Sequence, residues 1–441
     1  MKTNTTPHLP DSRNRRGRIG ALRLALVAVA LTGAACGSTE PAQPTQATAT
    51  TSDRSTDSSA AVSNTAPGAK PKSTETTVAP SSTTSAPKET ITSKKPSAVE
   101  QAVAAAQQLP LRRQLALLMF IGFNTGFKDT PGSTDPAAAQ QVIDEGVGGV
   151  FIGRKELALF NSPVFSRSKG GKLELLVATD AEGGRVDPLP QVGEPLPPAS
   201  DMAQWPTEQV RTEAAGHGAD LRAHGVNVNF APMLDLEGEP NPLGDRTWSS
   251  DPAEVIRGAG AFSEGMCDAG VYPTFKHFPG HGHSDFDADL QPARTPDLAT
   301  LEGADLIPFR ELTGSMKGRS MVMSGHLDVP GLTSDDLPFS LDPEAMAFLR
   351  NDVGFDGVVV TDELAEMGSI TQRGISVPDA VERSIAAGND MALFFGGPAD
   401  LNTVLNQLEE AVAAGRLPKD RIEESVRRVV TLMSSGACTP S

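Results

Sequence analysis

The chain has 441 residues, more than one ordinary core requires, so either two domains or one large domain with appendages is expected. Its formal charge of −17 leaves nothing to neutralise phosphates and argues against a nucleic-acid partner. Three cysteines, Cys36, Cys267 and Cys438, are too few for a disulfide framework.

Residues 1–36 read as an export signal. Arg13, Arg15, Arg16 and Arg18 form a basic region, and residues 19–31 form an apolar run too short to span a membrane as a mature helix. Small residues then lead to a lone cysteine, in Leu31-Thr32-Gly33-Ala34-Ala35-Cys36. This resembles the bacterial lipoprotein signal, in which the cysteine becomes the lipid-bearing first residue. Gly33 departs from the usual leucine, and an ordinary cleaved signal is the alternative. The expected location is the outer face of the bacterial cytoplasmic membrane, with the lipid as the sole membrane contact; secretion is the alternative.

Residues 37–96 are rich in Ser, Thr, Pro and Ala and almost lack large apolar side chains. Such a stretch cannot bury enough surface to offset its ordering entropy and is expected to be a disordered tether. From residue 97 to 437 the texture changes. Apolar runs at 117–123, 148–152, 173–180, 226–236, 271–278, 320–326, 357–362 and 390–395 alternate with helical patterns, among them 208–224, 252–269 and 378–387. Eight such runs alternating with helices predict an α/β fold, a single (β/α)8 TIM barrel. A doubly wound open sheet is the competing architecture, but no G-x-G-x-x-G opens a helix after the first strand. Cys267 and Cys438 could pair in an exported protein, although a barrel puts them on helices not expected to be neighbours.

A barrel keeps its chemistry at the carboxyl ends of its strands. The polar residues there are Asp180, Asp235, Lys276, His277, His326 and Asp362. Asp362 follows an apolar run, as a nucleophile or electrostatic stabiliser would; its bland reading is a cap on a helix at 363–367. Alternation along a strand allows only one of Asp362 and Glu363 to face the pocket. Lys276 and His277 precede a glycine turn and suit a hydroxylated or anionic ligand, because burying an unpaired lysine is costly. The loop beyond holds His281, His283, Asp285, Asp287 and Asp289. It reads either as a metal cluster or as an acid/base carried over the pocket, and no EF-hand glycine or distal glutamate supports the metal. Asp180 to Arg185 could meet sugar hydroxyls, and Arg246 with Trp248 offers a cation and an aromatic face; both segments could equally be loop scaffolding.

Together these stretches resemble the family 3 glycoside hydrolases, specifically the single-barrel β-N-acetylhexosaminidases of bacterial cell-wall turnover. The signature K-H-F-P-G-H-G stands unbroken at Lys276 to Gly282, D-x-E-G-G-R-V at Asp180 to Val186, G-x-R at Gly244 to Arg246, and the nucleophile strand at Val360-Thr361-Asp362. The resemblance implies a retaining mechanism with Asp362 as nucleophile, the first sugar held by Asp180, Arg185, Arg246, Lys276 and His277, and no cofactor. It implies a carbohydrate substrate from cell-wall glycan, and a monomer is expected. Two departures stand out. The family's loop Asp-Ser-His is here Asp287-Ala288-Asp289, with aspartate at the acid/base histidine position, and a second substrate arginine is replaced by Pro188. Asp289 could serve as the acid, with Asp287 in the orienting place and its pKa raised by that neighbour and a dry pocket. His283 could swing in instead. Otherwise proton transfer is lost, leaving an impaired, sugar-binding lipoprotein; a metal-dependent hydrolase is the weaker third reading.

Overall fold

Eight short strands, buried on both faces, form one parallel sheet: β1 (Met119–Phe123), β2 (Gly149–Ile152), β3 (Leu176–Thr179), β4 (Val228–Asn229), β5 (Tyr272–Phe278), β6 (Met321–Ser324), β7 (Val359–Thr361) and β8 (Ala392–Phe395). Their sequences, such as Met-Val-Met-Ser in β6 and Ala-Leu-Phe-Phe in β8, are nearly continuous apolar runs because helices cover one side and the packed interior the other. Sequential strands pair in order, Phe120 with Gly149 and Val322 with Val359 among the registers. β8 returns to β1 through Met119 and Ala392, and a parallel bridge between Val360 and Met391 joins β7 to β8. The sheet therefore closes on itself, as the eight apolar runs predict, and the doubly wound alternative is excluded.

The computed structural model describes residues 96–123, 135–153, 159, 173–187 and 193–438. The expected signal segment with Cys36, the tether up to residue 95, and Pro188 lie outside them. All described residues belong to one unit, Glu89–Ser441.

The expected helices form within a residue of their predicted ends, as Thr207–Ala223, Pro252–Asp268 and Val377–Ala387. The starts of the second and third are chemically marked. Asp251 accepts from Ala253 N and Ser376 from Asp379 N, each before a proline in the first turn. The helix expected at 363–367 is absent; the next helical turn is Gly368–Thr371. Asp362 is therefore not a helix cap, and its Oδ1 accepts only from the adjacent Glu363 N, at 2.9 Å.

Cys267 and Cys438 are joined, with Cα atoms 4.6 Å apart, contrary to the expectation from helix placement. The reason is that Cys438 is not on a helix. The C-terminal helix Lys419–Ser435 stops at Gly436, which takes a left-handed conformation (φ 56°). The tail then folds back, with Ala437 N donating to Tyr272 Oη at 3.1 Å, and meets the end of helix Pro252–Asp268.

Candidate active site

β3 delivers Asp180 and then a tight turn through Gly183 and Gly184, both at positive φ (96° and 59°). A Cβ at Gly183 would stand 2.3 Å from Pro197 O, so glycine is required there. The turn presents Glu182 inward. Its carboxylate takes both Nε and Nη2 of Arg246 at 2.8 Å and Lys276 Nζ at 2.6 Å. Asp180 takes the same lysine at 2.8 Å. Burial opposes the charge on Glu182, but Arg246 and Lys276 hold its carboxyl far below the usual range. Burial likewise opposes the lysine's charge, and Asp180 and Glu182 outweigh it.

Asp235, just beyond β4, is fully buried and gathers donors from the β5 end. It accepts from His277 N at 3.0 Å, from His281 N at 2.7 Å and from His277 Nδ1 at 2.8 Å. His277 Nε2 then faces Asp362 Oδ2 at 3.8 Å. Burial would lower the His277 pKa, but Asp235 and Asp362 raise it, so the two flanking carboxylates favour the protonated ring. Asp362 is in turn held low: burial opposes its charge, and His277, His326 and the Glu363 N–H outweigh burial. β5 is irregular here, its register with β6 shifting between Phe275 and Phe278, and adjacent Lys276 and His277 both reach the cavity.

The loop after β5 folds over this cluster. His281 Nε2 accepts from Ala288 N at 3.2 Å, and Gly368 N and Ser369 N donate to Asp289 O and Ala288 O at 2.9 and 3.1 Å. Asp287 Oδ1 accepts from Asp289 N at 3.0 Å. Asp289 is pushed up to about 7, first by burial, then by the negative charges of Asp362 and Asp287, against the pull of Arg246 and His277. Its proton is thus held near neutrality, opposite an Asp362 that has lost its own.

A cavity of about 660 Å³ lies between these groups. Asp180, Arg185, Arg246, Lys276, His277, Asp287, Asp289 and Asp362 all line it, with Phe151, Phe230 and Phe395 along an apolar side. His283 does not join them: it is turned to Asp305, with Nδ1 2.8 Å from Oδ1. Trp248 offers no aromatic face, being 4% exposed and packed edge-on against Phe262. Arg185 lines the cavity while paired with Asp245 and bonded to Leu243 O. Both Asp362 and Glu363 reach the wall, against the expectation from strand alternation, because β7 ends at Thr361 and the pleat no longer applies. The Glu363 carboxylate is occupied by Ala365 N, Glu366 N and Phe395 N at 2.7, 2.6 and 3.0 Å, and burial raises it to about 7 despite those donors.

Glu182 was not singled out from the sequence, nor was Asp235 given a role. The D-x-E spacing is the signal for Glu182, since alternate residues of an extended segment share a side. Among the described residues no group of three His, Cys, Asp or Glu side chains converges as a metal site.

A closed parallel barrel with one ionised carboxylate, a second carboxyl that keeps its proton, and a cleft dense in donors is the equipment of an enzyme that cleaves glycosidic bonds. Comparison with known proteins bears this out. Residues 111–432 match the glycosyl hydrolase family 3 N terminal domain, and the chain belongs to that family. It is 41% identical over 314 residues to the beta-hexosaminidase LpqI of Mycobacterium tuberculosis, covering 68% of this chain and 79% of that protein. A beta-hexosaminidase of Tolumonas auensis is 34% identical over 276 residues, 61% of this chain and 81% of the relative. Among solved structures, M. tuberculosis LpqI superposes with a TM-score of 0.69 at 38% identity, covering 75% of this chain and 96% of that one. A family 3 β-N-acetylglucosaminidase from Paenibacillus sp. gives 0.66 at 30% identity, over 76% and 64%. The chain is a glycosidase, a hydrolase of O-glycosyl bonds.

Proposed function

We propose that the protein is an exported, lipid-anchored β-N-acetylglucosaminidase that trims peptidoglycan-derived glycans by a retaining double displacement. One observation carries the reading: Asp362, ionised, and Asp289, protonated up to about pH 7, line the same cavity. In the first step an Asp362 oxygen forms a bond to the anomeric carbon as the bond to the leaving oxygen breaks, and Asp289 gives that oxygen its proton. In the second, water attacks the anomeric carbon, Asp289 takes a proton from it, and the Asp362 carboxylate departs. Asp287 orients Asp289 through the backbone N–H at 3.0 Å. Asp180, Arg246, Lys276 and His277 hold the sugar hydroxyls, and His277 offsets the charge of Asp362 in the resting site.

The sugar named in this reading comes from the relatives, and the anchor from Cys36 and the stretch before it. The Cys267–Cys438 bond fits an oxidising compartment outside the cytoplasm. Hydrolysis of an aryl β-N-acetylglucosaminide by the full chain tests the function. Wild type is expected to turn over, and Asp362→Ala to lose about 10⁴-fold or more in kcat. A wild type that binds N-acetylglucosamine without hydrolysing any such glycoside would make it a sugar-binding relic instead.

A further inference from the structure

We propose that Glu182 is a positioning residue that aligns Arg246 and Lys276 as the donor floor of the sugar subsite and screens their charge from Asp289. The inference rests on the glycosidase reading of this cavity. Its basis is a single carboxylate gripping two cations from two other segments, Arg246 through both oxygens and Lys276 through Oε1. Glu182 is 5% exposed and does not line the cavity, whereas both of its partners do. It therefore touches no substrate and acts through groups that do.

Asp180 cannot take over this task. It holds Lys276 by one contact, does not bond Arg246, and keeps its side chain 30% exposed toward the cavity. Glu182 is rigidly delivered: its own N–H donates to Val186 O at 2.9 Å, and Gly184 N donates to Leu196 O at 2.8 Å, closing the turn that carries it. A carboxylate fixed in this way holds the fork of Arg246 and the ammonium of Lys276 at one spacing, although they come from a loop turn and a strand.

The second consequence is electrostatic. The charged groups facing Asp289 are Asp362 and Asp287, which favour its proton, and Arg246 and His277, which disfavour it. Arg246 without its carboxylate partner would present a full buried charge to Asp289 and draw it toward the ionised form. Glu182 thereby preserves the proton that the leaving oxygen needs.

The test compares wild type, Glu182→Gln and Glu182→Asp in the full chain. It uses kcat and KM against pH on an N-acetylglucosamine disaccharide, and carbon-13 carboxyl titration of Asp289 in the substrate-free protein. Glu182→Gln is expected to raise KM about tenfold, for loss of charged hydrogen bonds. It should also move both the alkaline limb and the Asp289 titration down by about one pH unit. Glu182→Asp keeps the charge but is too short for both cations, so the limb stays while KM rises. An unmoved limb and titration in Glu182→Gln, with only the melting temperature lowered, overturns the proposal. If that variant does not fold, Glu182→Asp decides, and an unchanged KM overturns it. Should the wild type hydrolyse no such sugar, the functional reading fails on its own, and the carboxyl titration still judges Glu182.

Discussion

At the scale of single residues the site separates two aspartates by environment. Asp362 faces His277 and His326, which favour loss of its proton; Asp289 faces Asp362 and Asp287 from a buried position and keeps its own to about pH 7. The sign follows directly. Below about 7 Asp289 can donate, and above it cannot, so kcat/KM for an unactivated glycoside is expected to fall as pH rises through about 7. Asp289→Asn should remove that limb and lose about 10²–10⁴-fold on unactivated substrates while sparing activated aryl ones. Glu363 is raised to about 7 as well and His277 is raised beside Asp362, so a limb that survives in Asp289→Asn belongs to another group such as these and removes Asp289 from the acid role. The sequence made the rise at Asp289 legible through its neighbour Asp287 and the expectation of a dry pocket. It could not reveal that Asp362 weighs more than Asp287, because that closeness is made across the barrel. Glu182 stayed silent for the same reason: its role depends on Arg246 and Lys276, which arrive from a separate loop turn and from β5.

At the scale of elements, the loop that carries Asp289 is held by backbone contacts to the turn Gly368–Thr371. A Cβ on Gly368 would stand 2.1 Å from Leu290 O, and one on Gly282 would stand 1.7 Å from Leu236 O. These glycines serve close backbone approach, since neither has a positive φ. Gly368→Val is therefore expected to push the loop outward and move Asp289 off its place while Asp362 stays. Turnover of an unactivated disaccharide should drop more than that of an activated aryl glycoside, with little change in melting temperature. Equal losses on both substrates would show that the turn does not place the acid. Strands and helices were legible in the chain because their signals are local, an apolar run followed by a helical pattern. The sequence left His283 and Trp248 open because which way a loop residue turns depends on partners such as Asp305 and Phe262 that sequence spacing does not expose.

At the scale of the whole molecule, the barrel closes through β8 onto β1, and the tail beyond its last helix is stapled back by Cys267–Cys438 across 171 residues. Restricting an unfolded loop of that length is worth about 5 kcal/mol in the chain-entropy description. Reduction, or the pair Cys267→Ala and Cys438→Ala, should lower the melting temperature by several degrees and leave kcat at 25 °C unchanged, since neither cysteine lines the cavity. A fall in kcat with no thermal effect would place the bond in the working of the site instead. The eightfold alternation made the barrel readable from end to end, whereas the staple was hidden by the turn at Gly436 that carries Cys438 off its helix. Under the proposed mechanism Asp362 becomes covalently joined to the sugar. This bond is tested by mass spectrometry of the full chain after incubation with an activated 5-fluoro β-N-acetylglucosaminide, followed by peptide mapping. One added fluorosugar is expected on the peptide containing Asp362, absent in Asp362→Ala; a label on another residue, or none from an enzyme that turns over the parent glycoside, rules out Asp362 as the nucleophile.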